Sequence, residues 1–238
     1  MPGVSCPVRV SSTQVARDWT WTRCYLVESV SSGNSVLIDP STVDDREREH
    51  LRSRLLPGPG RGRVLAVVLT HGHPDHICDA EYWADQLGAP LAGNEADLPL
   101  MTDPVLNASR ALGRDIFLAR DRLDLSLGEG DLLELDAGGP SLTVLGLPGH
   151  SPGSIGLRWT AGPGEGPGFV ISGDILFQGS VGTDSIPGHG PLWGASLEAE
   201  IETIRKRLLV LPDDTVIHPG HGPSTTVGEE RAHNPFLA

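Results

Sequence analysis

Three imidazoles and a carboxylate crowd into Thr70-His71-Gly72-His73-Pro74-Asp75-His76, directly after the apolar run Val64-Leu65-Ala66-Val67-Val68-Leu69. A protein core has no use for that density of polar, metal-binding groups. The apolar run reads as a buried strand, so the cluster sits at a strand end, on rigid backbone that faces solvent. His71 and His73, two residues apart, point the same way from extended chain. Pro74 sets a turn that aims Asp75 and His76 at a neighbouring place. That division suits two adjacent metal ions rather than one. Imidazole with carboxylate and no thiolate fits zinc, iron and manganese alike. Two such ions can acidify a shared water and polarise an acyl carbonyl, which is the chemistry of hydrolysis.

The same grammar recurs three times. His150 lies in Leu147-Pro148-Gly149-His150-Ser151-Pro152-Gly153 after Leu142-Thr143-Val144-Leu145, and Asp174 follows Phe169-Val170-Ile171-Ser172-Gly173. His221 lies in His218-Pro219-Gly220-His221-Gly222 after Thr215-Val216-Ile217. Each time an apolar strand leads through a Gly/Pro turn to a ligand-type residue. The adjacent glycine reads as room for backbone to approach a bound ion. The candidate metal set is therefore His71, His73, Asp75, His76, His150, Asp174 and His221.

With the motifs THGHPDH (70–76), PGHSPGS (148–154), SGDILFQGSVG (172–182), HPGHG (218–222) and NPFL (234–237), the chain resembles the metallo-β-lactamase-fold hydrolases, in their small glyoxalase II-like branch. The resemblance runs from Leu37-Ile38-Asp39-Pro40 to residue 237. It implies an αββα sandwich of two mixed sheets flanked by helices. It implies a first metal on His71, His73 and His150, a second on Asp75, His76 and His221, and Asp174 bridging, with Asp75 and Asp174 as the catalytic carboxylates. The implied ions are two divalent metals, zinc first, with iron or manganese as substitutes. The implied reaction is attack of a metal-bridging hydroxide on a thioester, whose thiolate leaves without a strong general acid. Two alternatives share the site: hydrolysis of a lactone, ester or amide in a biosynthetic pathway, and a mononuclear iron persulfide dioxygenase built on His71, His150 and Asp174.

The chain also departs from that pattern. Where the branch continues with G-R-T-D, here Gly182-Thr183-Asp184 carries no arginine, and the chain reaches Ala238 without the helical domain that holds glutathione in full-length glyoxalase II. With Lys206 the single lysine, the expected substrate is a small-molecule or carrier-linked acyl compound on a thiol less anionic than glutathione. Segments 94–127 and 179–193 are expected to wall the site, with Trp193 as a platform for an apolar acyl group or as packing. Asp39 is expected to orient a ligand histidine. His218 is expected to pack against or support the His221 turn, and His189 lies on a loop within reach of the mouth. His50 and His233 read as structural or solvated, and Cys78 as a small buried hydrophobe.

These residues need strands to hold them and helices to cover the strands. Strands are expected near 24–27, 35–39, 131–135, 142–146, 154–159 and 168–172, besides those that precede the ligands. A charged helix over 43–56 is expected to stop at Pro57-Gly58-Pro59-Gly60, and a second helix spans 77–87 before Gly88. Leu197, Ile201, Ile204 and Leu208 mark an amphipathic helix over 196–211. The sequence 161–168 reads as a hairpin loop, and the whole of 1–238 as one domain. This is an α/β pattern.

Composition narrows the partners. The chain has 238 residues, 38% hydrophobic and 21% charged, enough to bury a sizeable core. Its net charge of −13 disfavours nucleic acid and anionic membrane surfaces. No apolar stretch approaches the length of a membrane span, and Met1-Pro2-Gly3-Val4-Ser5-Cys6 has neither the basic nor the apolar region of a secretion signal. Three cysteines without a CxxC fit a reducing compartment. A cytoplasmic enzyme is the expectation.

Overall fold

The computed structural model describes residues 6–56, 62–186 and 190–237. Six strands form a first sheet in chain order: β1 (Val8–Val15), β2 (Thr22–Ser29), β3 (Ser35–Ile38), β4 (Val64–Val68), β5 (Leu91–Gly93) and β6 (Leu125–Ser126). Pairing is antiparallel from β1 to β3 and parallel from β3 to β6. In the second sheet, β7 (Leu132–Glu134), β8 (Ser141–Gly146), β9 (Ile155–Trp159) and β10 (Phe169–Gly173) pair antiparallel in turn. Two short hairpins follow: β11 (Leu176–Phe177) with β12 (Ser180–Val181), and β13 (Ser185–Ile186) with β14 (Gly190–Pro191). The sheet is completed by β15 (Val216–Pro219), parallel to β10, and β16 (Thr225–Thr226).

Side chains alternate across each strand, and that alternation sorts the core into three layers. Leu26, Leu37 and Val67 cluster with Leu51 of α1 (Asp45–Arg54) and, past the four-residue α2 (Pro74–Ile77), Trp83 of α3 (Ala80–Leu87). Their neighbours Val27, Val36, Ile38 and Val68 turn inward onto Leu142, Val144, Leu157 and Ile171 of the second sheet. Leu145, Val170 and Ile217 turn outward again. They meet Ile204 and Leu208, just beyond α5 (Leu197–Thr203), and Val227 of α6 (Val227–His233). The result is the expected αββα sandwich. A short α4 (Leu98–Thr102) lies between β5 and β6. Among the described residues no helix is long and apolar enough to cross a membrane.

Three elements differ from expectation. β1 was hidden by its polar run Ser11-Ser12-Thr13-Gln14, which is tolerated because the strand forms a half-exposed sheet edge. The helix expected over 77–87 is interrupted at Cys78 and Asp79, where the Asp79 carboxylate is drawn to Thr42 Oγ1 and to Arg48 of α1. The helix expected over 196–211 is regular only to Thr203 and continues as a wider π turn from Ile204 to Leu208. The first helix forms as expected, with Asp44 capping it by accepting from Glu47 N at 2.7 Å. Its proposed stop at 57–60 lies outside the described residues.

The strand directions decide where the ligand-type residues go. Since β8 and β10 each pair antiparallel with β9, and β15 is parallel to β10, all three end on the same edge. The turn after β4 joins them there, with Ile155 N donating to Thr70 O at 2.8 Å across the two sheets.

Candidate metal centre

All seven candidate residues meet at this edge. Their donor atoms form three overlapping groups, each within 4.8 Å: His71, His73 and His150; His71, His76 and Asp174; Asp75, His76 and His221. The first and third groups are the two expected triplets. The middle one takes a histidine from each and joins them through Asp174. His76 Nε2 lies 3.4 Å from Asp174 Oδ1, and His221 Nε2 lies 3.2 Å from both Asp75 Oδ2 and Asp174 Oδ2. His73 Nδ1 and His150 Nε2 approach to 2.8 Å.

The surrounding hydrogen bonds fix which ring nitrogen is left bare. Asp39 Oδ2 accepts from His76 Nδ1 at 2.9 Å and from Thr70 Oγ1 at 2.7 Å. The Thr70 hydroxyl has one proton and spends it on Asp39, so its contact with His71 Nδ1 at 3.1 Å has the imidazole as donor. One carboxylate thereby sets the tautomers of a histidine from each triplet, directly for His76 and through Thr70 for His71. Both rings are thereby held with Nδ1–H directed outward and Nε2 turned to the centre. His150 Nδ1 donates to Thr183 O at 3.0 Å, leaving its Nε2 for the centre. Thr22 Oγ1 donates to Asp75 Oδ2 at 3.0 Å and aims that carboxylate.

A second carboxylate ties the loops together. Asp97 accepts from Gly72 N at 2.8 Å, from Ser151 Oγ at 2.6 Å and from Gly153 N at 2.5 Å. It thus clamps the His71–His76 loop to the His150 loop. Nothing in its local sequence sets it apart from the other acidic residues of the insert.

Electrostatics prepares the donors. Burial, reinforced by neighbouring imidazoles, holds His71 well below the usual histidine range and pushes His73 down to about 3. Burial lowers His150 as well. These three rings are neutral at pH 7 and able to coordinate. Burial opposes ionisation of Asp75 and Asp174, but His76 and His221 override it and hold both carboxylates below their ordinary range. In return the carboxylates overcome the burial of His76 and His221, raising the first and lifting the second to about 10.

Buried orphan atoms show that this donor set fits metal. His71 Nε2, His73 Nε2, His76 Nε2 and Asp174 Oδ1 are buried without a hydrogen-bond partner. Each such atom costs about 1–3 kcal/mol if nothing takes it up, and four in one place suit divalent cations.

The adjoining glycines leave room for neighbouring protein atoms, at Gly220 for two of the donor residues themselves. A Cβ at Gly220 would collide with Asp174 Oδ1 and lie 2.8 Å from His76 Cε1, and one at Gly149 would lie 2.5 Å from Glu200 N.

His73, Asp75, His150, Asp174 and His221 floor a cavity of about 560 Å³. The two expected walls contribute Asn107 and Leu112 from the first, and Ser180, Val181, Thr183, Ile186 and Leu192 from the second. Trp19, Thr20, Phe177 and Pro223 also line it and were not foreseen; the aromatic pair Trp19 and Trp21 beside β2 was the available signal. Trp193 is exposed and outside the cavity lining, whereas Trp19 is part of it. His218 packs against Tyr25 and Phe169 and bonds Ser224 Oγ, outside the donor groups, and burial pushes it down to about 4. His50 contacts Thr13, and exposed His233 pairs with Glu229. Burial pushes the half-buried Cys78 thiol up to about 11, an unreactive state. His189 lies outside the described residues.

The model of the metallo-beta-lactamase superfamily matches residues 18–221. The chain belongs to that superfamily. It is 34% identical to the hydroxyacylglutathione hydrolase GloC of Haemophilus influenzae, over 86% of this chain and 87% of the relative. Among solved structures, the BLEG-1 B3 metallo-beta-lactamase superposes with a TM-score of 0.79 at 30% identity, covering 97% of this chain and all of that one. TTHA1623, solved in a di-iron-bound form, does so with a TM-score of 0.69 at 35% identity, over 95% and 100%. Family and donor groups together make this a metallo-hydrolase with a candidate His/Asp metal site.

Proposed function

We propose that the chain is a dinuclear hydrolase of acyl thioesters. The observation that carries this reading is the pair of donor triplets joined by Asp174. His71, His73 and His150 would hold one ion, Asp75, His76 and His221 the other, with Asp174 between them. Two divalent ions, zinc first, would lower the pKa of a shared water toward neutrality and polarise the acyl carbonyl. Asp39 keeps His71 and His76 turned toward the centre, and Thr22 keeps Asp75 there. Iron is an alternative occupant, supported by the di-iron form of TTHA1623.

The cavity favours a thioester over an amide. Outside the donor cluster its described lining offers only neutral hydroxyls, amides, an indole and apolar groups, with no side chain acidic enough to protonate a departing amine. A thiolate leaves without that proton. The likeness to GloC supports the same bond, and the likeness to BLEG-1, a metallo-beta-lactamase, supports the second reading, hydrolysis of a lactone, ester or amide. A mononuclear iron dioxygenase would use His71, His150 and Asp174 and leave the orphaned nitrogens of His73 and His76 unexplained. The reading includes a reducing, cytoplasmic setting, in keeping with three free cysteines.

Metal analysis of the purified protein tests the proposal. Nearly two ions per chain with thioesterase activity is expected, and Asp174→Asn should drop the content to one ion or none with an unchanged circular dichroism spectrum. Two ions and full activity in that variant, or a single iron with oxygen uptake on a persulfide, would overturn it.

A further inference from the structure

The cavity above the donors is chemically divided. Its floor is made of histidines and aspartates, whereas Trp19, Leu112, Phe177, Val181, Ile186 and Leu192 supply apolar walls. The polar groups between them, such as Asn107 and Gln178, are uncharged. No arginine or lysine lines it among the described residues. None of the four arginines of the overlying insert lines it, and two of them are held by acidic neighbours. Arg110 pairs with Asp115 at 2.8 Å, and Arg120 pairs with Glu81, Asp85 and Asp124. Arg114 lies 4.7 Å above the Trp19 ring and is not among the lining residues.

A carboxylate lying against these walls would shed water and find no cationic donor among them, which is costly. An alkyl or aryl group would displace water from apolar walls and gain free energy in proportion to its buried area. About 560 Å³ is ample for a chain of several carbons.

We propose that this site selects substrates with an apolar, uncharged acyl group, which lies against Trp19, Phe177 and Leu192 while the carbonyl sits over the donors, and with a leaving thiol that carries no anionic group close to the scissile bond. This rests on the hydrolase reading: the acyl–sulfur bond breaks, water supplies the oxygen of the acid, and the sulfur departs as thiolate or thiol.

The test uses acetyl, butanoyl, hexanoyl and octanoyl thioesters of N-acetylcysteamine, which is neutral, and of glutathione. With metal-loaded protein, kcat/KM is expected to rise roughly two- to fourfold per added methylene, the upper figure corresponding to full burial. The neutral carrier should exceed glutathione at every length. Leu112→Arg, at a half-exposed wall position, should narrow the gap between the carriers at least tenfold. Independently of turnover, the thioether S-octyl-N-acetylcysteamine should quench tryptophan emission of the metal-free protein at lower concentration than S-octylglutathione. An acetyl ester turned over as well as octanoyl on both carriers, or tighter binding of S-octylglutathione, would overturn the assignment. Binding of the neutral thioether with no hydrolysis of any thioester would end the hydrolase reading and leave the pocket assignment standing.

Discussion

At the scale of single residues, the chain holds its donors with very few supporting side chains. Asp39 is the clearest case. It sits at φ 50°, in the left-handed region that most side chains avoid. From there it accepts from Thr70 N at 2.8 Å, Thr70 Oγ1 and His76 Nδ1. Asp39→Asn keeps the shape but exchanges one acceptor oxygen for a donor, so that it no longer satisfies both Thr70 and His76. The expected outcome is a 10- to 100-fold loss of metal affinity, the usual effect of removing a partner that orients a ligand. Competition with a chromophoric chelator reads it directly, and unchanged affinity would show that histidine tautomers here are set some other way. The role of Asp39 was legible in the sequence from its place at a strand end. That of Asp97 was not, because its three partners come from two loops far apart in the chain.

At the scale of elements, the ligand-bearing strands were readable because apolar runs stop abruptly at Gly/Pro turns. What the local pattern misses is set by tertiary contact: the break at Asp79, the wide turn after Thr203, and the polar edge strand β1. α5 shows how an element reaches into the site. Its Glu200 is fully buried, with Oε1 accepting from Gly182 N at 2.7 Å and Oε2 without a partner among the described residues. This is the turn where the family pattern carries an arginine and this chain does not, and no cation compensates the carboxylate there among the described residues. Burial pushes Glu200 up to about 8, the Gly182 amide opposing and the charges of Asp174 and Asp184 reinforcing. Its folded pKa thus exceeds the ordinary 4.5. Between those values the native state holds a proton that the unfolded chain has released, so this contribution to stability is lost as pH rises from about 4.5 through 8. Thermal melts from pH 5 to 9 on wild type and Glu200→Gln should show it. The advantage of wild type over the variant should shrink as pH rises, by more than the roughly 2–4 °C that 1 kcal/mol corresponds to at this chain length. Parallel curves would mean that Glu200 titrates normally.

At the scale of the whole molecule, charge and pocket act on the substrate together. The chain carries −13 at neutral pH, and its cavity walls offer an anion no cationic partner among the described residues. Two bound dications would attract an anion locally, but the surrounding field repels it on approach. The balance was only half legible in the sequence. Net charge and the missing arginine could be counted, whereas the engagement of Arg110 and Arg120 by acidic neighbours, and of Arg114 by Trp19, needed the fold. Long-range repulsion is screened by salt, with a Debye length of about 10 Å at 0.1 M and about 30 Å at 0.01 M. For S-lactoylglutathione, kcat/KM is therefore expected to be low in dilute buffer and to rise severalfold between 0.01 and 0.15 M salt, a range expressed through those screening lengths. The lactoyl thioester of N-acetylcysteamine, which has no charge to repel, should stay flat over the same range and exceed it throughout. The contrast separates a field effect from a general influence of salt on the enzyme, because the reacting bond is the same in both. A glutathione thioester that is faster in dilute buffer, and slows as salt is added, would show instead that a cationic surface recruits it, and would return the specificity to glutathione.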